Sequence, residues 1–138
     1  MGECLFCAAV SGSLDVTPVY TSESVFAFLD HRPVFKGHVL VVPREHVEVL
    51  ADLASDQVGP YFLEVQKIAV AVESALGAGG TFVALNNKVS QSVAHLHTHV
   101  VPRTKGDGLR GFFWPRTKYE SPDEAVSYAK RIADVLAS

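Results

Sequence analysis

The sequence predicts an α+β fold: an antiparallel sheet of about five strands with one long helix and a C-terminal helix. Three observations carry this. Short β-branched and aromatic runs recur along the first hundred positions. One window between residues 56 and 76 steps its apolar residues by fours and threes. The strand-like runs are grouped and joined by short turns, rather than each alternating with a helix, which favours antiparallel pairing.

The elements follow in chain order. LFCAAV (5–10) reads as a short helix, ended by Ser11-Gly12-Ser13. PVYTSESVFAFLD (18–30) reads as a hairpin, with Thr21-Ser22-Glu23-Ser24 as its turn. HVLVVP has the character of a buried strand closed by Pro43. Residues 44–53 begin a short helix in this reading. The long helix runs from about Asp56 to Leu76, with Val58, Phe62, Val65, Ala69, Val72 and Leu76 on one face. Ser55 is expected to cap its start and Gly77 its end. TFVALN (81–86) and VAHLHTHVV (93–101) are the remaining strands, the second stopped by Pro102. Ser121-Pro122-Asp123-Glu124 combines a capping box with a proline at the first helical position, and opens the last helix.

The chain has 138 residues, the length of one domain spanning 1–138, and 48% of them are hydrophobic, enough for a core. A net charge of −3 argues against a general nucleic-acid binder. No run of 18 apolar residues is present, so no membrane span is expected. The opening MGECLFCAAV lacks the basic start of a secretory signal, and a cytoplasmic location is expected. Thiols stay reduced there, so Cys4 and Cys7, three residues apart, point to a metal or redox role rather than to a structural disulfide.

Half of the six histidines fall in HLHTHVV (95–101). In a strand, residues two apart share a face about 6.6 Å from one another, so His95, His97 and His99 would form a ladder about 13 Å long. Leu96, Thr98 and Val100 would fill the other face. Three readings are open: unrelated histidines, a metal centre, or chemistry at phosphorus. A single three-histidine metal site is strained by the length of the ladder, since Zn–N bonds are about 2.0–2.1 Å. A neutral imidazole is a nucleophile near physiological pH and can displace a leaving group from a phosphate ester. Asn86, Gln91 and Ser92 lie just before the ladder and can hold phosphate oxygens. His38, after Gly37 at the start of an apolar strand, can join the same site. This neighbourhood favours phosphorus chemistry.

QSVAHLHTHVVPR (91–103) resembles the signature of the histidine triad superfamily, in which three histidines alternate with apolar residues. CLFC (4–7), VFAFLDHRPVFKGHVLVVPREHVEVL (25–50) and LNN (85–87) fall where that family has corresponding segments. The resemblance implies a homodimeric α+β protein acting at the α-phosphate of purine nucleotide phosphoramidates or adenylates. A nucleoside monophosphate would leave through a nucleotidyl-histidine. It implies His97 as nucleophile, His99 on phosphate and leaving group, and His38 in the array. Asn86 and Ser92 would touch phosphate, and Asp30 the ribose hydroxyls. Leu5, Phe6 and Phe28 would pack on the base. The uridylyltransferase branch has glutamine in third place, so His99 marks this chain as similar to the hydrolases. Thr98 departs from the usual apolar residue, and its hydroxyl needs a partner if buried. The loop 86–91 is short and lacks the glycines common there.

The Cys4–Cys7 pair supplies two thiolates for a tetrahedral ion. Some family members complete such a site with histidines matching His46 and His95, which implies a structural zinc here and no cofactor for the chemical step. His95 would then turn away from phosphate. Residues 106–120, GDGLRGFFWPRTKYE, carry Arg110, Arg116 and Lys118 beside Phe112, Phe113 and Trp114, and are either a packed connector or a lid over the site. The rival reading from another class is a nucleotide- or metal-binding module with negligible turnover. A dinucleoside polyphosphate hydrolase is the alternative within the same chemistry.

Overall fold

The structure is a computed structural model that describes residues 4–109 and 116–138. Residues up to Asp107 form one compact unit and residues from Gly108 a second. In the first unit, helix α1 (Leu5–Ser11) is capped by Cys4, whose Sγ accepts the Cys7 N–H at 3.3 Å, and ends at Gly12 in the left-handed conformation, φ 87°. Strands β1 (Pro18–Thr21) and β2 (Val25–Leu29) form the expected hairpin. Its turn is closed by Ser22, whose hydroxyl accepts the Ser24 and Val25 N–H groups. Strand β3 (Val39–Pro43), helix α2 (Ser55–Leu76) and strands β4 (Gly80–Leu85) and β5 (Thr98–Arg103) complete the unit. The sheet has the order β1-β2-β3-β5-β4, antiparallel throughout.

All five residues of β3 are buried because both faces of the sheet are covered. Val39 and Val41 face α2 with Val25, Ala27, Val65, Ile68, Val72, Leu96 and Val100. Leu40 and Val42 pack with Phe6, Ala9 and Phe28 on the α1 side. Burial of such side chains contributes roughly 1.5–3 kcal/mol each. Alternation along β5 sends Val100 and Thr98 to the α2 side and His99 to the α1 side. Leu96 is fully buried against α2 as expected. The Thr98 hydroxyl, 1% exposed, finds its partner in Tyr61, whose Oη lies 2.7 Å from it and donates to the Val41 carbonyl at 2.8 Å.

Several expectations are corrected. On α2, Val65 and Val72 are buried as expected and Phe62 and Ala69 are partly buried against the core, but Tyr61 and Ile68 join the buried face, while Val58 and Leu76 are 36% and 52% exposed. Stripes through Val58 and through Tyr61 both satisfy a helical period, and the hydroxyl partners of Tyr61 favour the one that inserts it. Ser55 is not the cap: Ala54 holds that place without a side-chain bond, its carbonyl accepting the Gln57 N–H at 2.8 Å. Residues 44–53 form bends and one 3₁₀ turn (Leu50–Asp52) instead of a helix, the Leu50 N–H going to Asn87 Oδ1. Strand β5 begins at Thr98 and not at residue 93, and it runs through Pro102. The segment before it is drawn off the sheet by bonds to the 43–47 region: Leu96 N–H to the Val47 carbonyl, and His95 Nε2 to the Pro43 carbonyl. Pro102 lies beyond the last β3–β5 pair, Val39↔Val100, where among the described residues β5 pairs with β4 alone and a missing N–H is tolerated.

The second unit holds helix α3 (Pro122–Ala137). The Ser121 hydroxyl accepts the Glu124 N–H at 3.1 Å, as the box requires, while Glu124 Oε1 reaches one residue further back, to the Glu120 N–H. Among the described residues, no helix is long and apolar enough to cross a membrane.

Candidate functional site

The three histidines of 95–99 part company at the start of β5. His95 turns to one cluster; His97 and His99 line a pocket of about 680 Å³. Its lining combines apolar residues, including Leu5, Phe6, Val16, Phe28 and Val93, with polar ones, including Asp30, Ser92, His97 and His99. Its size and its mixture of apolar wall and few polar groups are those of a small-molecule site.

Hydrogen-bond partners fix the ring tautomers, because a carbonyl only accepts and a backbone N–H only donates. His97 Nδ1 lies 2.8 Å from the His95 carbonyl, so Nδ1 carries the proton and Nε2 keeps its lone pair. His38 Nδ1 accepts the Val34 N–H at 3.1 Å. Its Nε2 then donates to His99 Nδ1 at 2.9 Å, which leaves His99 with a donor at Nε2. The His97 and His99 rings meet with centroids 5.1 Å apart. His38 does not border the pocket; it orients His99 from behind. Gly37, just before His38, turns the chain at φ 97°, a conformation that strains any residue with a Cβ.

Burial dominates the electrostatics. It lowers the pKa of His99 to about 4, with the neighbouring His97 and His38 adding to the effect and Asp30 opposing it. Burial likewise lowers His38, again opposed by Asp30. This pair is therefore neutral at physiological pH. Asp30 does two things. Its Oδ1 accepts the Arg32 N–H at 2.9 Å, the strand-end cap, and its Oδ2 stands 3.7 Å from His38 Nε2 at the pocket edge.

Ser92 is exposed and lines the pocket. Asn86 and Gln91 are not among the lining residues. Asn86 Nδ2 donates to the Ser90 carbonyl. Gln91 accepts the Lys88 N–H and donates to the Glu48 carbonyl, so its amide ties two loops together. The loop turns without glycine by placing Lys88 and Ser90 at φ 73° and 62°.

In the second cluster the ligand atoms of Cys4, Cys7, His46 and His95 all lie within 4.8 Å of one another. His95 Nδ1 is 3.3 Å from Cys4 Sγ, 3.5 Å from Cys7 Sγ and 3.2 Å from His46 Nδ1, and Cys7 Sγ is 3.3 Å from His46 Nδ1. A tetrahedral ion with Zn–S near 2.3 Å and Zn–N near 2.0–2.1 Å holds its ligand atoms roughly 3.3–3.8 Å apart. The donor set therefore suits zinc. The bond from His95 Nε2–H to the Pro43 carbonyl directs the Nδ1 lone pair inward, as a metal ligand requires. Asp30, His38 and His99 also converge within 4.8 Å, but there a proton between the two rings accounts for their closeness.

The backbone carbonyls of Pro43, Val41 and His95 left no trace in the sequence, since any residue offers one. The Leu14–Thr17 wall of the pocket was also missed; its apolar Leu14 and Val16 look like ordinary linker residues before β1. The lid reading of residues 106–120 falls in part on residues 110–115, with Arg110, Phe112, Phe113 and Trp114 outside the described residues. Arg116 and Lys118 are exposed. The start of this stretch is fixed by Arg103, which grips Asp107 through Nε at 2.6 Å and a second nitrogen at 3.0 Å.

Known proteins resemble this chain in sequence and in fold. The family model of the HIT domain matches residues 12–106. "Protein hit" of Bacillus subtilis is 36% identical over 98% of this chain and 95% of its own length. The adenosine 5'-monophosphoramidase of Schizosaccharomyces pombe is 30% identical over 96% of this chain and 98% of its own. The crystal structure of a HIT family member from B. subtilis superposes with a TM-score of 0.87 at 35% identity, covering 99% of both chains. That of a zinc-bound histidine triad family protein from Mycobacterium smegmatis gives 0.74 at 33% identity, covering 99% of this chain and 98% of the other.

Proposed function

The chain belongs to the histidine triad (HIT) family, and on that premise we propose that it is a nucleotide hydrolase or nucleotidyl transferase. It acts at the α-phosphate of purine nucleotide phosphoramidates or adenylates and releases a nucleoside monophosphate. The observation that carries this reading is the His97 tautomer: Nδ1–H is held by the His95 carbonyl, so the Nε2 lone pair is available to attack.

In the proposed reaction, His97 Nε2 forms a bond to the α-phosphorus as the bond to the leaving group breaks. His99 Nε2–H donates a hydrogen bond to the departing atom, which takes its proton from solvent, and His38 holds His99 in the donating tautomer. Water then displaces His97 from phosphorus, giving the monophosphate, the neutral Nδ1–H ring of His97 and a proton released to solvent. Ser92 bonds phosphate oxygens. Asp30 takes the ribose hydroxyls, and Leu5, Phe6 and Phe28 of the pocket wall clasp the base. Asn86 and Gln91, named for phosphate from the motif, act instead by holding the loop that carries Ser92.

Cys4, Cys7, His46 and His95 hold a structural zinc in this reading, supported by the ligand spacing and by the zinc-bound relative. The ion would join α1, the loop after β3 and the segment before β5. Relatives that align with nearly the whole chain support reading 1–138 as one histidine triad domain. The protein is proposed to act as a cytoplasmic homodimer. Among the described residues, Val83 on the edge strand β4, 43% exposed, and the outer side of α2, with Leu63 and Val70 65% and 64% exposed, are surfaces a second copy would cover.

The test is direct. Incubation with adenosine 5'-phosphoramidate should yield AMP at catalytic rates, and a panel adding acyl adenylates and dinucleoside polyphosphates, ranked by kcat/KM, should favour the phosphoramidate. Binding of AMP without turnover of any member would leave a nucleotide-binding module. Preference for the dinucleoside polyphosphates would identify the alternative hydrolase. Light scattering should give about twice the 14.9 kDa chain mass.

A further inference from the structure

One short helix serves both clusters. Cys4 and Cys7 aim their sulfurs at His46 and His95, and the two residues between them, Leu5 and Phe6, line the pocket. Successive helical positions point about 100° apart, so the same turn that presents the sulfurs on one side presents these apolar groups on another. The Phe6 ring stands edge-on to His97, with centroids 4.9 Å apart, and to Phe28 at 5.5 Å. At seven residues, α1 is far too short to hold a helical shape alone. Its position depends on what anchors it, namely the buried Phe6, Ala8 and Ala9 and the two sulfurs.

We propose that the Cys4–Cys7–His46–His95 centre sets the nucleotide affinity of the pocket, because a bound thiophilic divalent cation fixes α1 and with it the Leu5–Phe6 wall against the base. The inference rests on the zinc and nucleotide readings above. It assigns the effect to affinity and not to the chemical step. The backbone of His95, whose carbonyl orients His97, is held independently of any ion by Leu96 N–H to the Val47 carbonyl and His95 Nε2–H to the Pro43 carbonyl. Metal loss therefore loosens the base wall while the nucleophile keeps its tautomer. Coupling of two binding events is reciprocal, so AMP must tighten the hold on zinc by the same factor that zinc tightens the hold on AMP.

The experiment measures AMP affinity by calorimetry on zinc-loaded and chelator-stripped protein, with ribose 5-phosphate as the ligand that lacks a base. Zinc affinity is measured in parallel against a competing chelator dye, with and without AMP. His46→Asn removes a ligand that lies on the loop after β3 and leaves the α1 sequence intact. Expected are a roughly five- to twentyfold weakening of AMP on stripping, less than about twofold for ribose 5-phosphate, and a matching factor in zinc affinity. His46→Asn should reproduce the weakened AMP binding. If stripped protein unfolds, the zinc affinities of intact protein with and without AMP still decide the matter. One zinc per chain with AMP affinity unchanged on its removal, or zinc affinity unchanged by AMP, would overturn this inference and leave the zinc reading standing. Equal weakening of AMP and ribose 5-phosphate would overturn the route through α1. Failure to bind zinc at all would overturn the zinc reading and this inference together, and failure of zinc-loaded protein to bind AMP would overturn the nucleotide reading.

Discussion

The two histidine clusters are built from the same five-residue stretch, yet they are chemically opposite. Around His95, the ligand atoms of four residues, two of them sulfur, gather within 4.8 Å of one another, with four of the six pairs at 3.2–3.5 Å. Around His97 and His99, the nitrogens are linked by protons, each ring spending one nitrogen on a fixed partner and keeping the other for the pocket. The first arrangement is unfavourable without a cation to gather the lone pairs. The second is complete as it stands. The difference teaches that what an imidazole does is set by the partner of its other nitrogen. Here those partners are backbone carbonyls and one backbone N–H.

The sharpest way to break the comparison is His97→Ala. It should lower kcat by roughly 10³-fold or more while AMP affinity moves by less than about threefold, as measured by steady-state kinetics and calorimetry. Retention of more than a few per cent of wild-type kcat would remove His97 from its role. Cys4→Ser removes a ligand of the other cluster together with the cap of α1. It should abolish zinc in metal analysis of untagged protein and lower Tm by roughly 5–10 °C, with kcat changed less than about threefold. Metal-free wild-type protein of the same stability would end the distinction between the clusters.

A third prediction concerns pH. His99 has a folded-state pKa of about 4 against 6.5 in an unfolded chain, so below pH 6.5 the unfolded chain takes up the proton first. Stability should fall as pH drops from about 6.5 towards 4, by an amount on the order of 2–3 kcal/mol at about 1.4 kcal/mol per pH unit, allowing for the partial exposure of the ring. Denaturant titrations should show a shallower dependence in His99→Gln; equal slopes would mean that His99 is not held neutral by burial. The smallest effect separates two variants on the α2 side of the sheet. Tyr61→Phe strips the buried Val41 carbonyl and the Thr98 hydroxyl of their partner and should cost roughly 1–3 kcal/mol. Thr98→Val leaves the bond to Val41 in place and should cost less than about 1 kcal/mol. The reverse order, in urea unfolding, would put the partner of Thr98 elsewhere.

The sequence made much of this legible. The order of elements, the buried character of β3, the glycine stops of α1 and α2 and the Ser121 cap follow from local chemistry, and local chemistry is what a sequence displays. The convergence of Cys4, Cys7, His46 and His95 came from family resemblance, since nothing local links residues so far apart. What misled was periodicity where two answers satisfy it. The stripe through Val58 and Phe62 and the stripe through Tyr61 and Ile68 are equally helical, and only the buried partners of Tyr61 choose between them. Alternation through residues 93–101 looked like one strand because a non-sheet segment held by Val47 and Pro43 alternates just as well. The same blindness to backbone acceptors assigned Gln91 to phosphate, when its amide is taken by Glu48 and Lys88.

The central claim is that His97 Nε2, freed by the His95 carbonyl, attacks phosphorus. Rapid quench of the protein with adenosine 5'-phosphoramidate, followed by peptide mass spectrometry, tests it most directly. The account predicts an adenylyl adduct on His97 that forms within the first turnover and decays at a rate no slower than AMP release. AMP release at full rate with no adduct, or with the adduct on His95 or His99, would contradict it.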